Sequence, residues 1–272
     1  MMTKYKAIVL DLDGTLTNDA KEVTAKTKAA LMKAQERGVT VILASGRPTY
    51  GIRSIADELE IGRYGGYVMA YNGGHICRWS DKAVIAQQEL APETVPALHE
   101  AAKGAGCEIL TYQGESIAAT NVRNKYVMHE AFINKMPTIC YDDFPGQVIY
   151  PINKCLIVGD PKILVNLEKK ISAEMAGKLS AYRSAGFFLE CVPPGIDKAA
   201  ALDNLLKRIG IEREAAIAVG DGYNDLSMIE YAGLGVAMAN AAREVQDAAD
   251  YITYSNQEDG VAHVVEKFIL RD

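Results

Sequence analysis

The chain has no C-x-x-C pair, no long basic run and no segment near the roughly 20 consecutive apolar residues of a membrane-spanning helix. Its five cysteines, Cys77, Cys107, Cys140, Cys155 and Cys191, are scattered and odd in number. That spacing fits free, mostly buried thiols in a reducing cytosol better than a disulfide frame or a zinc site, and a cytoplasmic protein is the expectation. Ahead of Asp11 the N-terminal region offers only the apolar run Ala7 to Leu10, far short of a secretory h-region. The formal charge of −6 disfavours non-specific binding to nucleic acid. Phosphate-loop spacing, G-x-x-x-x-G-K-[ST], is missing, and "GDGYND" holds only G-x-G, too little for a dinucleotide fingerprint. These absences disfavour nucleic acid and membranes as partners; a small molecule is the expected partner and a monomer or weak homo-oligomer the expected state.

What is present is a core-forming composition: 49% of 272 residues are apolar, enough for one large domain or two of ordinary size. "KAIVLD", "VTVILAS" and "YGGYVMAYNGG" read as buried strands, separated by amphipathic helices in "VTAKTKAALMKAQERG" and "RPTYGIRSIADELE". This βαβαβ rhythm implies a parallel sheet with helices on both faces. The texture then changes. "HICRWSDKAVIAQQEL" reads as a hairpin, followed by a helix from about Glu93 to Lys103, the strands "CEILTY" and "SIAAT", and a stretch rich in Asn, Pro and Asp. A second helix–strand–strand cycle runs from "KCLIVGD" through "PKILVNLEKKISAEM" to "KLSAYRS" and "FFLECV", and suggests an α+β layer on an antiparallel sheet. After Pro193-Pro194-Gly195 the alternating βα pattern returns. The expected architecture is therefore α/β: a Rossmann-like parallel-sheet core from residues 1–82 and 192–272, interrupted by an inserted α+β domain at 83–191.

In open parallel sheets, ligands bind beyond the carboxyl ends of the strands. Three strands end there in polar residues: "AIVLD" in Asp11, "VILAS" in Ser45 and "AIAVGD" in Asp221, with Asp13, Asn224 and Asp225 close behind. Four carboxylates at one mouth repel one another, and a hard divalent cation with oxygen ligands relieves that; Mg²⁺ suits the set best. Singly, each piece has a duller reading: a turn for D-x-D-G-T, a helix cap for Ser45, a solvated helix residue for Lys198. A calcium loop starting at Asp11 fails because position 6, which must be Gly, is Leu16, and because a strand precedes it. The histidines His75, His99, His129 and His263 read as lying away from these strand ends, in surface or core roles.

"DLDGT", "ASGR", Lys198 in "GIDKAAAL" and "GDGYNDLSMI" occur in the order of the four motifs of the haloacid dehalogenase (HAD) superfamily of phosphatases. The insertion after the second motif, together with "YNGG" and "VGDGYNDLSMIEYAGLGVAMANA", resembles the Cof-type branch with a type IIB α/β cap. The resemblance implies a phosphatase acting on small phosphomonoesters, such as sugar phosphates or phosphorylated cofactors. It implies Asp11 as the nucleophile that forms an aspartyl-phosphate, and Asp13 as general acid and base. Asp13 would then need a raised pKa where Asp11 would not. It also implies a phosphate cradle of Ser45, Gly46, Lys198 and Asn224, Asn224 either orienting Lys198 or touching phosphate. Mg²⁺ would be held by Asp11, the Asp13 carbonyl and Asp221, with Asp225 direct or through water. The inserted domain would act as a water-excluding lid hinged near 80–84 and 191–196. Arg47, and by residue type Tyr112, Arg123, Lys125 and Arg183, are candidates for the leaving group. A phosphomutase using the same intermediate is the alternative, though no dense arginine cluster in the cap supports it; a non-catalytic phosphoester binder is the third reading.

Overall fold

The computed structural model describes residues 4–271. The chain forms two compact units, residues 1–86 with 197–272, and residues 87–196. In the first unit the order is β1 (Ala7–Leu10), α1 (Ala25–Glu36), β2 (Thr40–Ala44), α2 (Thr49–Glu58), β3 (Tyr67–Ala70), β4 (His75–Arg78) and β5 (Val84–Gln87). The second unit holds α3 (Thr94–Gly104), β6 (Glu108–Gln113), β7 (Ser116–Ala119), α4 (Lys125–Asn134), β8 (Thr138–Cys140) and α5 (Phe144–Gln147). It continues with β9 (Cys155–Val158), α6 (Pro161–Glu174), β10 (Ser180–Ala185) and β11 (Phe188–Val192). The chain returns to the first unit with α7 (Lys198–Ile209), β12 (Ala216–Gly220), α8 (Leu226–Tyr231), β13 (Leu234–Ala237), α9 (Arg243–Ala248), β14 (Tyr251–Ile252) and α10 (Gly260–Phe268).

The core sheet runs β14-β13-β12-β1-β2-β3-β4-β5. Pairing is parallel from β14 to β3, and β4 turns back antiparallel on β3. β1 and β12 read as continuous apolar runs because both faces are buried, as parallel strands sandwiched by helices require. Leu202, Leu205 and Leu206 of α7 pack on one face, over Ala7, Val9, Ile42 and Ala218. α7 is started by Asp197, whose side chain accepts from Ala200 N–H, and stopped by Gly210 at φ 70°. That start places Lys198 in the first turn. The unit boundaries fall at 86/87 and 196/197, not at 82/83 and 191/192. At the first junction the reason is plain: β5 is the eighth strand of the core sheet.

The inserted unit carries a six-stranded sheet, β10-β11-β9-β6-β7-β8, antiparallel except where β7 and β8 run together. α3 and α6 bury Leu98, Leu164, Leu167 and Ile171 against Ile109, Ile157, Leu189 and the paired Cys155 and Cys191. The stretch between β7 and β9, read from sequence as merely rich in Asn, Pro and Asp, holds α4, β8 and α5. α4 escaped detection because its polarity is inverted: Glu130 and Asn134 are buried, while Met128 and Phe132 are exposed. Beneath it, Glu130 accepts from Tyr112 Oη (2.6 Å) and Asn134 Nδ2 (2.7 Å), and buried Lys154 pairs with Glu190 at 2.8 Å. Of the four cap candidates chosen by residue type, Tyr112 is therefore bonded to Glu130, and Arg183 donates to Glu168 at 2.7 Å. Among the described residues, no helix is long and apolar enough to cross a membrane.

Candidate active site

Asp11, the residue after β1, is buried against three strands' ends. Lys198 Nζ, fully buried, donates to Asp11 Oδ1 at 2.7 Å, to Asp225 Oδ1 at 2.5 Å and to the Ala44 carbonyl at 3.1 Å. One ammonium thus links the ends of β1, β2 and the loop after β12. Burial disfavours its charge, but the carboxylates of Asp11 and Asp225 outweigh that and raise its pKa. Asp225 is equally committed: its Oδ2 accepts from the N–H groups of Asp221 (3.0 Å) and Gly222 (2.9 Å). With three donors already on it, Asp225 holds Lys198 and shapes the loop after β12.

Carboxylate oxygens of Asp11, Asp221 and Asp225 lie within 4.8 Å of one another. Burial, then the charge of Asp225, pushes the Asp11 carboxyl up to about 8 despite Lys198. Burial likewise pushes Asp221 up to about 6, although Thr15 Oγ1 donates to its Oδ1 at 2.7 Å. A single ammonium among three carboxylates leaves negative charge in excess, and every donor atom is a hard oxygen. This set fits Mg²⁺, a hard cation that neutralises such an excess with few protein ligands. Gly14 permits the arrangement: it sits at φ 86°, and a Cβ there would stand 2.3 Å from Asp221 Oδ2.

Asp13 reverses the expected order of acidity. Its side chain turns from the carboxylate cluster and is gripped by Arg47, which donates from Nε to Oδ2 (2.7 Å) and from Nη2 to Oδ1 (2.6 Å). Lys21 Nζ adds a third contact at 2.8 Å. Burial would raise the Asp13 pKa, but these two cations together hold it below the usual carboxylate range. Asp11 is therefore the raised acid and Asp13 the depressed one. Arg47, expected near a leaving group, is forked onto Asp13 and anchored by Nη1 on the Gly51 carbonyl at 3.2 Å.

Ser45 is buried at the end of β2, where its Oγ accepts from Arg47 N–H at 3.1 Å, so the hydroxyl hydrogen is directed away from that bond. Gly46 lies between them, ahead of the first turn of α2. Asn224 does not reach Lys198; its Nδ2 donates to Asn72 Oδ1 at 3.0 Å. Four contributors escaped the sequence reading. Lys21 and Thr15 flank the first motif without a distinctive spacing. Asn72 lies in "YNGG", quoted above but given no task. His75 opens β4 opposite Ala70, with Nδ1 3.1 Å from Thr49 Oγ1. An antiparallel hairpin returns it to the edge where β3 ends, beside the sheet mouth but not at the ends of β1, β2 or β12. Tyr71 and Asn72 both adopt left-handed φ, 53° and 55°; for a bulky residue such as Tyr this costs about 1–2 kcal/mol.

The family model described as haloacid dehalogenase-like hydrolase matches residues 8–265. A crystal structure of a haloacid dehalogenase-like hydrolase from Bacteroides thetaiotaomicron is 49% identical, covers 97% of this chain and 99% of its own, and superposes with a TM-score of 0.95. "Putative phosphatase YxeH" of Bacillus subtilis (strain 168) is 33% identical over 98% of this chain and 99% of its own length. "5-amino-6-(5-phospho-D-ribitylamino)uracil phosphatase YcsE" of the same organism is 28% identical over 97% and 96%. With the fold, the order of the motifs and the carboxylate cluster agreeing, the chain belongs to the haloacid dehalogenase-like hydrolase family, in its Cof-type phosphatase branch.

Proposed function

We propose that the protein is a Mg²⁺-dependent phosphomonoester hydrolase that works through an aspartyl-phosphate on Asp11. The observation that carries this reading is the buried Asp11–Lys198–Asp225 array, with Asp221 beside it, at the mouth of the parallel sheet. A carboxylate at that place, with its charge developed among fixed partners, is suited to nucleophilic attack.

In the first displacement an Asp11 oxygen bonds to phosphorus, the ester P–O bond breaks, and the leaving oxygen takes a proton from Asp13. In the second, water attacks the same phosphorus, gives its proton to Asp13, and inorganic phosphate departs, restoring Asp11. Lys198 holds Asp11 in line and balances the phosphoryl charge. Ser45 donates its hydroxyl hydrogen to one phosphoryl oxygen, supported by backbone amides of the Gly46 turn. Asp11, Asp221 and the Asp13 carbonyl would hold Mg²⁺, with Asp225 reaching it through water. Bound there, the cation supplies the positive charge that keeps Asp11 and Asp221 ionised and polarises the phosphoryl group. Gripped by Arg47 and Lys21, Asp13 is in the ionised form that accepts a proton from water. For the donating half-reaction Arg47 must loosen its fork, which the anionic substrate promotes by competing for the guanidinium.

The substrate class is small phosphate esters of sugars, polyols or phosphorylated cofactors. A relative named for a phosphorylated ribitylamino-uracil supports that range. The test is phosphate release from a panel of sugar phosphates, nucleotides and phosphorylated cofactors, with and without Mg²⁺ and EDTA. Metal-dependent release that Asp11→Asn abolishes is the expected result. Conversion of a hexose 1-phosphate to its isomer without free phosphate would overturn hydrolysis in favour of a mutase.

A further inference from the structure

The Tyr71–Gly74 segment has no task in the chemistry above, yet its backbone runs through three successive left-handed residues. Tyr71, Asn72 and Gly73 stand in succession at φ 53°, 55° and 97°. Such a run persists only where its surroundings over-determine it, and runs of this kind cluster at functional sites. Here the determining bonds lead to the second-motif loop. Ser45 N–H donates to the Met69 carbonyl (2.9 Å), Tyr71 N–H to the Arg47 carbonyl (3.0 Å) and Asn72 N–H to the Ser45 carbonyl (2.9 Å). Behind the strap Gly73 touches α7, where a Cβ would come 2.3 Å from Ala201 Cβ, one turn beyond Lys198.

The Asn72 side chain extends this strap in two directions. Its amide atoms lie 3.3 Å from the point where a Cβ would stand on Gly46, so it covers the loop's most open position. Its Oδ1 accepts from Asn224, which follows β12, whereas Asn72 follows β3. Two strands, β1 and β2, separate β12 from β3 in the sheet. The Asn72–Asn224 bond therefore spans the strand that ends in Asp11. Asparagine suits the position because it tolerates the left-handed region and its amide both accepts and donates.

We propose that Asn72 is a positioning residue for phosphoryl transfer: its amide ties the Ser45–Arg47 loop to Asn224, so that both sides present donors to one phosphoryl group. This rests on the hydrolase reading above, which supplies the group being positioned. A misplacement of about 1 Å in such donors is enough to cost on the order of 10²-fold in rate.

The test compares Asn72→Gly, which keeps a left-handed backbone without the amide, with Asn224→Ala and the double variant. For an aryl phosphate, each single change lowers kcat/KM about tenfold to a hundredfold, mostly in kcat, and the double variant falls no further than the weaker single. Affinity for inorganic phosphate, titrated directly, weakens in Asn72→Gly, and amide hydrogen exchange at residues 45–47 quickens while the melting temperature holds. Wild-type kinetics in Asn72→Gly would overturn the proposal by reducing Asn72 to a backbone requirement. Multiplying losses in the double variant, or unchanged phosphate affinity and exchange, would overturn it too. Should Asp11→Asn retain turnover, the assignment of Asp11 as nucleophile falls instead, and should the wild type with Mg²⁺ release no phosphate, the hydrolase reading falls; in either case phosphate affinity and exchange still decide whether Asn72 orders the loop.

Discussion

Among the described residues two lysines are buried, one in each unit, and each is set against two carboxylates. Lys198 in the core bonds Asp11 and Asp225. Lys154 in the inserted unit bonds Glu190 and feels the charge of Glu130. In both, burial lowers the pKa and the paired carboxylates more than restore it. The difference lies in how the acids are completed. Around Lys154 the carboxylates also accept from neutral donors: Ser184 on Glu190 at 2.8 Å, Tyr112 and Asn134 on Glu130. Around Lys198 a third carboxylate, Asp221, crowds in, and Asp11 is left with a pKa pushed up to about 8. A closed network specifies a structure, whereas a network left electrostatically incomplete is built to receive charge.

The sharpest way to break this comparison is to remove each ammonium. Lys198→Met lowers kcat on the order of 10²–10³-fold, as loss of a positioned cation at a charged transition state does. Lys154→Met leaves kcat unchanged, while both variants lose about 3–5 kcal/mol of stability through stranded carboxylates, read by denaturant melts. If Lys154→Met loses turnover as Lys198→Met does with the fold intact, the two networks are not different in kind. Next are the acids themselves. Asp11→Asn raises the Tm of the metal-free protein at pH 8 because it removes an ill-solvated charge, even as it abolishes turnover. Glu190→Gln lowers Tm, because Lys154 loses its partner. A fall in Tm for Asp11→Asn would contradict the excess-charge account.

A third measurement uses pH. The folded-state value of Asp11, about 8, lies above the roughly 3.9 of an unfolded aspartate. Stability of the metal-free protein is therefore full below the unfolded value and is lost as pH climbs towards 8. A cation binds the ionised form, so the rise in Tm on adding Mg²⁺ is larger at pH 8 than at pH 6. Equal shifts at both pH values would refute this. The smallest effect belongs to Lys21→Ala. Its half-exposed pair with Asp13 is worth less than about 1 kcal/mol, but removing the cation lets the Asp13 pKa rise. The alkaline limb of the kcat profile then moves to higher pH; a shift to lower pH would exclude Asp13 as the proton donor.

The features legible in the sequence were those written locally. Asp11, Ser45 and Asp221 stand out because each ends an apolar run, and a parallel sheet aligns such ends without further information. α4 was illegible because its buried side mixes Val127 with Glu130 and Asn134 while Met128 and Phe132 are exposed, so that hydrophobic periodicity pointed the wrong way. β5 was assigned to the insertion because a hairpin does not say which sheet it joins. The return of His75 to the edge where β3 ends was unreadable for a related reason: only the pairing of β4 on β3 reports it.

Composition and motif order were enough to determine an α/β hydrolase with its acids at one sheet edge, since strand ends and helix starts are set within a few residues. Only the tertiary structure decided which acid carries which charge. Arg47 lies 34 residues from Asp13, and Lys198 lies 187 from Asp11. No local pattern reports those distances, yet they lower the pKa of one carboxyl, and burial together with Asp225 raises that of the other. Coulomb energy and desolvation depend on separation in space and on the absence of water, and both are properties of the packed chain.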